Sequence, residues 1–179
     1  EAVDRIVDAA PAAVAIDLLL VEQTAAGPAL ATALARSDRV VLAAAAGNDA
    51  PGAESSGGAE FTAEIAAAVD RSVIAAVVGD LRTGGEGPPK LLLPRPEIVG
   101  GASLGHVNIA RSGDRVARHV PLALWIGERD FLPAMPLDVA RRLSGLGRAE
   151  IVLWLGSGVD FGARRIATDR AGRVTLNHY

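Results

Sequence analysis

The chain contains no cysteine. That excludes disulfides, thiolate nucleophiles and cysteine metal sites outright. Aromatic residues make up only 3% of its 179 residues, too few for a surface that stacks nucleic-acid bases. Basic charge is short as well, with 18 Lys and Arg against 21 Asp and Glu and a formal net charge of −3. A nucleic-acid-binding face shows a clustered basic excess, so no nucleic-acid partner is expected. Lysine occurs once, at Lys90, and arginine fills the remaining Lys/Arg positions. With so much alanine, this reads as the coding bias of a GC-rich bacterium rather than as a functional signal. No apolar run approaches the roughly 18–20 residues that a bilayer crossing needs. The longest candidates, "VVLAAAAG" and "SVIAAVVG", have strand length. The chain opens on Glu1 and closes on "LNHY", and reads as a piece of a longer protein, with any targeting or membrane segment lying outside it.

What is present is apolar and ordered in alternating blocks. Hydrophobic residues make up 50% of the chain, enough for one domain with its own core or for two small lobes sharing one; the pattern of blocks is read as one domain over residues 1–179. "EAVDRIVDAA" places Val3, Ile6, Val7 and Ala10 at helical spacing. "AVAIDLLLV" then reads as a buried strand with Asp17 inside it. Pro28 opens a second helix through about Ala35, and "RVVLAAAA" (39–46) is another buried strand. "GNDAPGAESSGGAE" (47–60) reads as a surface loop. A third helix follows at Phe61, Ile65, Ala68 and Val69, and "RSVIAAVVGD" (71–80) is a third buried strand. After a second glycine-rich connection, "LLLPRP" is a short extended piece.

The second half changes period. "LGHVNIARSGDRVARHVPL" (104–122) predicts a β-hairpin: a strand near 104–110, a turn at Ser112-Gly113-Asp114, and a strand from 115 to about 126. Pro136 starts a helix whose apolar stripe is Val139, Ala140, Leu143 and Leu146, and "EIVLWL" (150–155) is a strand. "RRIATDRAGRVTLN" gives two short strands around a turn at 169–172. The expected fold class is α/β: a single layered domain with a mixed β-sheet flanked by helices. Parallel-type units form its N-terminal half and antiparallel hairpins its C-terminal half.

Few motifs carry chemistry. Gly101-Ala102-Ser103-Leu104-Gly105 fits G-x-S-x-G, but a nucleophile elbow needs a strand before the serine and a helix after it. Here a proline-broken stretch precedes and a strand follows, so a hydrolase using Ser103, with Asp160 or Asp169 and His178, is the alternative rather than the reading. Gly145-Leu146-Gly147 and Gly156-Ser157-Gly158 complete neither a dinucleotide fingerprint nor a Walker loop and read as turns. The three histidines, His106, His119 and His178, lack the spacing of a helical metal site. Neither a metal nor a cofactor is expected.

The hairpin register decides what faces what, because a one-residue slip moves every side chain to the opposite face. A two-residue turn puts His106 opposite His119; a three-residue turn puts Asn108 opposite Arg118. Arg118 shares its side of the strand with Val116, Val120, Leu122, Leu124 and Ile126. Such an arginine sits near the strand's end or is paired, since a bare buried charge is costly. Asp17 poses the same question. It either accepts backbone donors or pairs with an arginine such as Arg118, or it meets a ligand beyond the carboxyl ends of the strands.

Gly105, His106, Val107 and Asn108, followed by Asp114 in a turn and by Arg118, Pro121 and Leu122, resemble the hallmark of the type-two CHASE domain. "AVAIDLLLVE" and "DRAGRVTLNHY" resemble that family's early strand and closing segment, so the resemblance spans nearly the whole chain in order. This copy departs from the pattern at Ser112, Arg115 and His119, which makes the hairpin tip less acidic, and it is longer in the middle. The resemblance implies a non-catalytic sensory domain on the extracytoplasmic face of a bacterial membrane. It implies tethering through flanking helices and control of a cytoplasmic nucleotide cyclase or kinase. The partner so implied is an unknown small-molecule or protein signal. A homodimer fits as well, because such outputs usually work in pairs. Asp17, His106, Asn108, Asp114 and Arg118 are the candidate ligand-binding or structural residues.

Overall fold

In the computed structural model, residues 2–46, 62–80, 89–111 and 116–176 are described. The chain adopts the expected α/β architecture, with parallel strands in its first half and antiparallel ones in its second. The first half runs α1 (Ala2–Asp8), β1 (Val14–Ile16), α2 (Gly27–Leu34), β2 (Val40–Ala46), α3 (Ala63–Ser72), β3 (Ala76–Val78), β4 (Leu91–Leu92), α4 (Pro96–Val99) and β5 (Ser103–His106). β1 and β5 flank β2 in parallel, with Val14 opposite Val40 and Ser103 opposite Val41, while β4 pairs antiparallel at the end of β2.

β2 is the axis of this sheet because both its faces are apolar. Val40, Leu42 and Ala44 point into a core built with Leu34, Ile65, Ala68, Val99 and Leu104 from the helices and from β5. Val41 and Ala43 point the other way, onto Met135. A strand covered on both sides has no polar face to alternate with, which is why it reads as a continuous apolar run.

The second half runs β6 (Ala110–Arg111), β7 (Ala117–Pro121), β8 (Ala123–Gly127), β9 (Asp130–Pro133), α5 (Met135–Leu143), β10 (Ile151–Trp154), β11 (Gly158–Phe161), β12 (Arg164–Ala167) and β13 (Arg173–Thr175). β3 joins β10 in parallel, and β10, β11 and β12 continue antiparallel. A second core gathers there, from Ile74, Phe131, Leu137, Ile151, Leu153 and Val159. Among the described residues no helix is long and apolar enough to cross a membrane.

Several local expectations are corrected. The strand expected through "AVAIDLLLV" stops at Ile16, and Leu18 and Leu19 are 64% and 41% exposed. Hydrophobic content overstated its length, since only the ladder to β2 holds it extended. β3 is half-buried to exposed and belongs to the second sheet, not to the parallel set around β2. The two strands flanking the turn at 169–172 do not pair with each other; β12 joins β11 and β13 joins β7. The helix from Pro136 forms, but Ala140 and Leu143 face solvent. Its inward face carries Met135, Leu137 and Asp138 instead.

The hairpin is the largest revision. What looked like one strand near 104–110 is two: β5 belongs to the parallel sheet, and only Ala110 and Arg111 pair back on β7. Ala110 stands opposite His119. Neither expected register forms, so His106 does not face His119 and Asn108 does not face Arg118. The second arm also breaks, at the buried Leu122, between β7 and β8.

Candidate functional site

Ser103, Gly105, His106 and Asn108 lie along or just beyond β5, and alternation sends them to two faces. Ser103 and Gly105 look toward α5. A Cβ added at Gly105 would fall 2.6 Å from the Met135 Cα, so only glycine lets the start of this helix lie on the strand. Ser103 is 4% exposed. Its hydroxyl donates to Asp138 Oδ2 at 3.0 Å and accepts from Arg142 Nη2 at 2.8 Å. Asp138 also accepts from Arg141 Nε at 2.8 Å and Arg142 Nε at 3.0 Å. Burial alone would raise the Asp138 pKa, but the hydrogen bonds and charges of Arg142 and Arg141 outweigh it and hold the carboxyl below its ordinary value. The two guanidiniums reach on to backbone carbonyls, Arg141 to Leu146 and Arg142 to Asp38, both at 2.8 Å.

This cluster answers the G-x-S-x-G question. Ser103 opens a strand rather than following one, its hydroxyl is engaged by a carboxylate and a guanidinium, and no imidazole bonds to it among the described residues. The geometry is that of a structural anchor. The sequence signal that marks it is the Asp-x-x-Arg-Arg spacing at 138, 141 and 142, which puts both cations one helical turn from the acid.

His106 looks to the opposite face. It pairs with Ala44 in the parallel ladder and forms an isolated bridge to Ala134 beyond β9. The residue is 1% exposed, and among the described residues neither Nδ1 nor Nε2 has a hydrogen-bond partner. Burial pushes its pKa down from 6.5 to about 4, so the ring is neutral at ordinary pH. Asn108 works differently. Its Oδ1 accepts from the Ala46 N–H at 3.0 Å and its Nδ2 donates to the Ala46 carbonyl. The side-chain amide thus serves as one more peptide unit, extending the β2–β5 ladder where the main chain of β5 turns away.

The other sequence-derived candidates stand apart. Asp17 follows β1 at its carboxyl end, is exposed, and makes no ion pair with Arg118. Arg118 is the second residue of β7 and is exposed, so the apolar row does not enclose its guanidinium; its carbonyl accepts from Leu176 N at 2.8 Å. Asp114 lies outside the described residues, as do His178, the 47–60 loop and the tip of the hairpin. Of the four candidates among the described residues, only His106 and Asn108 lie together, at the end of β5 and just beyond it. Among the described residues no three His, Asp or Glu side chains gather in a way that could hold a metal ion.

No curated protein and no solved structure is a significant match to this chain. The family comparison is decisive: the CHASE2 domain model matches residues 1–179, from end to end. The Gly105–Asn108 segment that carries the resemblance is also where the fold places its glycine contact, its buried imidazole and its ladder-extending amide. The chain therefore belongs to the CHASE2 family, a family of sensory extracellular domains of signalling receptors.

Proposed function

We propose that this chain is the extracytoplasmic signal-receiving part of a bacterial transmembrane receptor, and that it controls a cytoplasmic output such as a nucleotide cyclase or a kinase. The observation that carries this reading is the family match along residues 1–179. The internal architecture is compatible with it, because the polar side chains beside β5 that make hydrogen bonds act as anchors rather than as reagents. Ser103 and Asp138 are tied up with arginines, and Asn108 closes a strand ladder. In this reading the domain passes a signal by changing the balance between two arrangements of the membrane helices to which it is joined. A ligand or partner does so only through the difference in its affinity for those arrangements. Pairing of two copies would transmit such a change to outputs that work as dimers.

The test is made in the full-length receptor. A reporter enzyme active only outside the cytoplasm, fused at an exposed position of the domain such as Leu143, should be active, and removal of the domain should change the basal or stimulated output. An inactive reporter, or an output indifferent to the domain's removal, would contradict the proposal.

A further inference from the structure

A cleft of about 700 Å³ opens where β3 and β10 end side by side. That volume falls within the roughly 300–1,000 Å³ of small-molecule sites, and adjacent carboxyl ends of parallel strands are where open α/β sheets hold ligands. Its floor is apolar: Phe131 and Leu153 are 6% and 4% exposed, with Ala123 and Leu155 beside them. Its rim carries two formal charges of opposite sign, Asp80 just past β3 and Arg170 in the turn before β13.

Among the described residues neither Asp80 nor Arg170 makes an ion pair, although both line the same cleft. The turn that presents Arg170 is nevertheless fixed. Asp169 Oδ1 accepts from the N–H groups of Ala171 and Arg173, each at 2.9 Å, and its Oδ2 accepts from Arg173 Nε at 3.0 Å. The Arg173 N–H in the first place holds the Asp169 carboxyl below its ordinary pKa. Gly172 completes the turn with φ +73°, a conformation that favours glycine. A preformed turn removes the backbone's share of the ordering cost at binding.

An apolar floor between a carboxylate and a guanidinium that no described residue pairs matches a ligand with an ammonium at one end, a carboxylate at the other, and hydrocarbon between. We propose that this cleft is the sensory site and that it takes a small zwitterion with an apolar body, of the size of a di- or tripeptide. Asp80 receives the ammonium, Arg170 the carboxylate, and the side chains rest on Phe131, Leu153 and Leu155. This inference rests on the sensory reading above and adds the place and the ligand class.

Calorimetric titration of the purified chain with Leu-Leu tests it, with N-acetyl-Leu-Leu lacking the ammonium and Leu-Leu-amide lacking the carboxylate. Leu-Leu should bind, and each blocked peptide should bind at least about tenfold more weakly, the equivalent of one lost charged contact. Arg170→Gln should weaken Leu-Leu and abolish the discrimination against the amide. Asp80→Asn should do the same for the acetylated peptide. Both substitutions are on exposed residues and should leave the melting temperature unchanged, and the blocked peptides probe the same contacts without any substitution. Absence of heat with Leu-Leu and Leu-Leu-Leu at millimolar concentration overturns the proposal, as does binding indifferent to both substitutions and both blocking groups. A receptor whose output depends on this domain while the peptides fail to bind would overturn the site and leave the sensory reading standing. Peptide binding in a receptor whose output ignores the domain would do the reverse.

Discussion

At the scale of single residues, the hallmark segment shows how far side-chain type leads without geometry. A histidine and an asparagine among valines and leucines are legible in the sequence as residues with a structural or binding task. Which task each performs is not, because it depends on which strand they join. Asn108 finds its partner, the Ala46 peptide, 62 residues away on β2, a pairing that no local pattern encodes. Among the described residues neither ring nitrogen of His106 has a partner, and its burial makes the fold sensitive to acid. Its pKa of about 4 in the folded chain lies below the ordinary 6.5. Between those values the unfolded chain takes up a proton that the folded chain refuses. Stability is therefore fully present above about pH 6.5 and falls as the pH drops toward about 4. At about 1.4 kcal/mol per pKa unit, the loss is on the order of 3 kcal/mol. His106→Leu, which keeps the volume and removes the orphaned nitrogens, should flatten this part of the stability curve and match or exceed the parent at pH 7. Urea unfolding across pH 4–7 checks it; a parent and variant with parallel curves would show that the imidazole does not govern the acid limb.

At the scale of elements, the arginines turn out to have work that composition conceals. Composition shows that arginine replaces lysine almost throughout, but not where these side chains end. Arg39 reaches the carbonyls of Ala10 and Pro11, Arg129 those of Val77 and Gly79, and Arg148 those of Asp70 and Val73. Each fastens the end of one element to another, a use that the planar, many-donor guanidinium serves better than an ammonium. α5 is the fullest case. Its existence and its proline start are legible, yet its buried face is not, because ranking residues by hydrophobicity turns Leu143 inward and Asp138 outward. The structure reverses both, since Asp138 is satisfied by Arg141, Arg142 and Ser103 whereas Leu143 is 63% exposed. Removing one member of such a buried set leaves the others uncompensated. Asp138→Ala should therefore cost about 3–5 kcal/mol. Arg142→Lys, which keeps the charge but cannot reach Asp138, Ser103 and Asp38 together, should cost about 1–3 kcal/mol. Leu143→Ala on the solvent side should change stability by less than about 0.5 kcal/mol. Chemical denaturation of the three variants orders them, and a Leu143→Ala loss equal to that of Asp138→Ala would refute this account of the helix.

At the scale of the whole molecule, the sequence conveys the class of the fold and the rough order of its elements but not how they are shared between sheets. Short apolar runs such as those of β1 and β3 look alike, and only long-range pairing assigns the first to β2 and the second to β10. Among the described residues the two larger apolar cores are joined by β9. Successive residues of a strand point to opposite sides, so Phe131 enters the core around β10 while Leu132 enters the core around β2. The same strand accepts the Ile74 N–H through the Phe131 carbonyl at 2.9 Å, and the residue after it bridges to His106. A strand that fills both cores couples them, because neither can open without exposing one of its two faces. The chain should accordingly unfold in a single calorimetric transition, with van't Hoff and calorimetric enthalpies in agreement. Leu132→Ala, a truncation worth about 2–5 kcal/mol in a packed core, should lower the midpoint of that one transition by on the order of 10 °C without splitting it. Phe131→Ala, acting on the other core, should shift the same transition in the same direction. If the cores were independent, each substitution would move one of two separable transitions and leave its companion in place, and scanning calorimetry of the two variants distinguishes these outcomes directly.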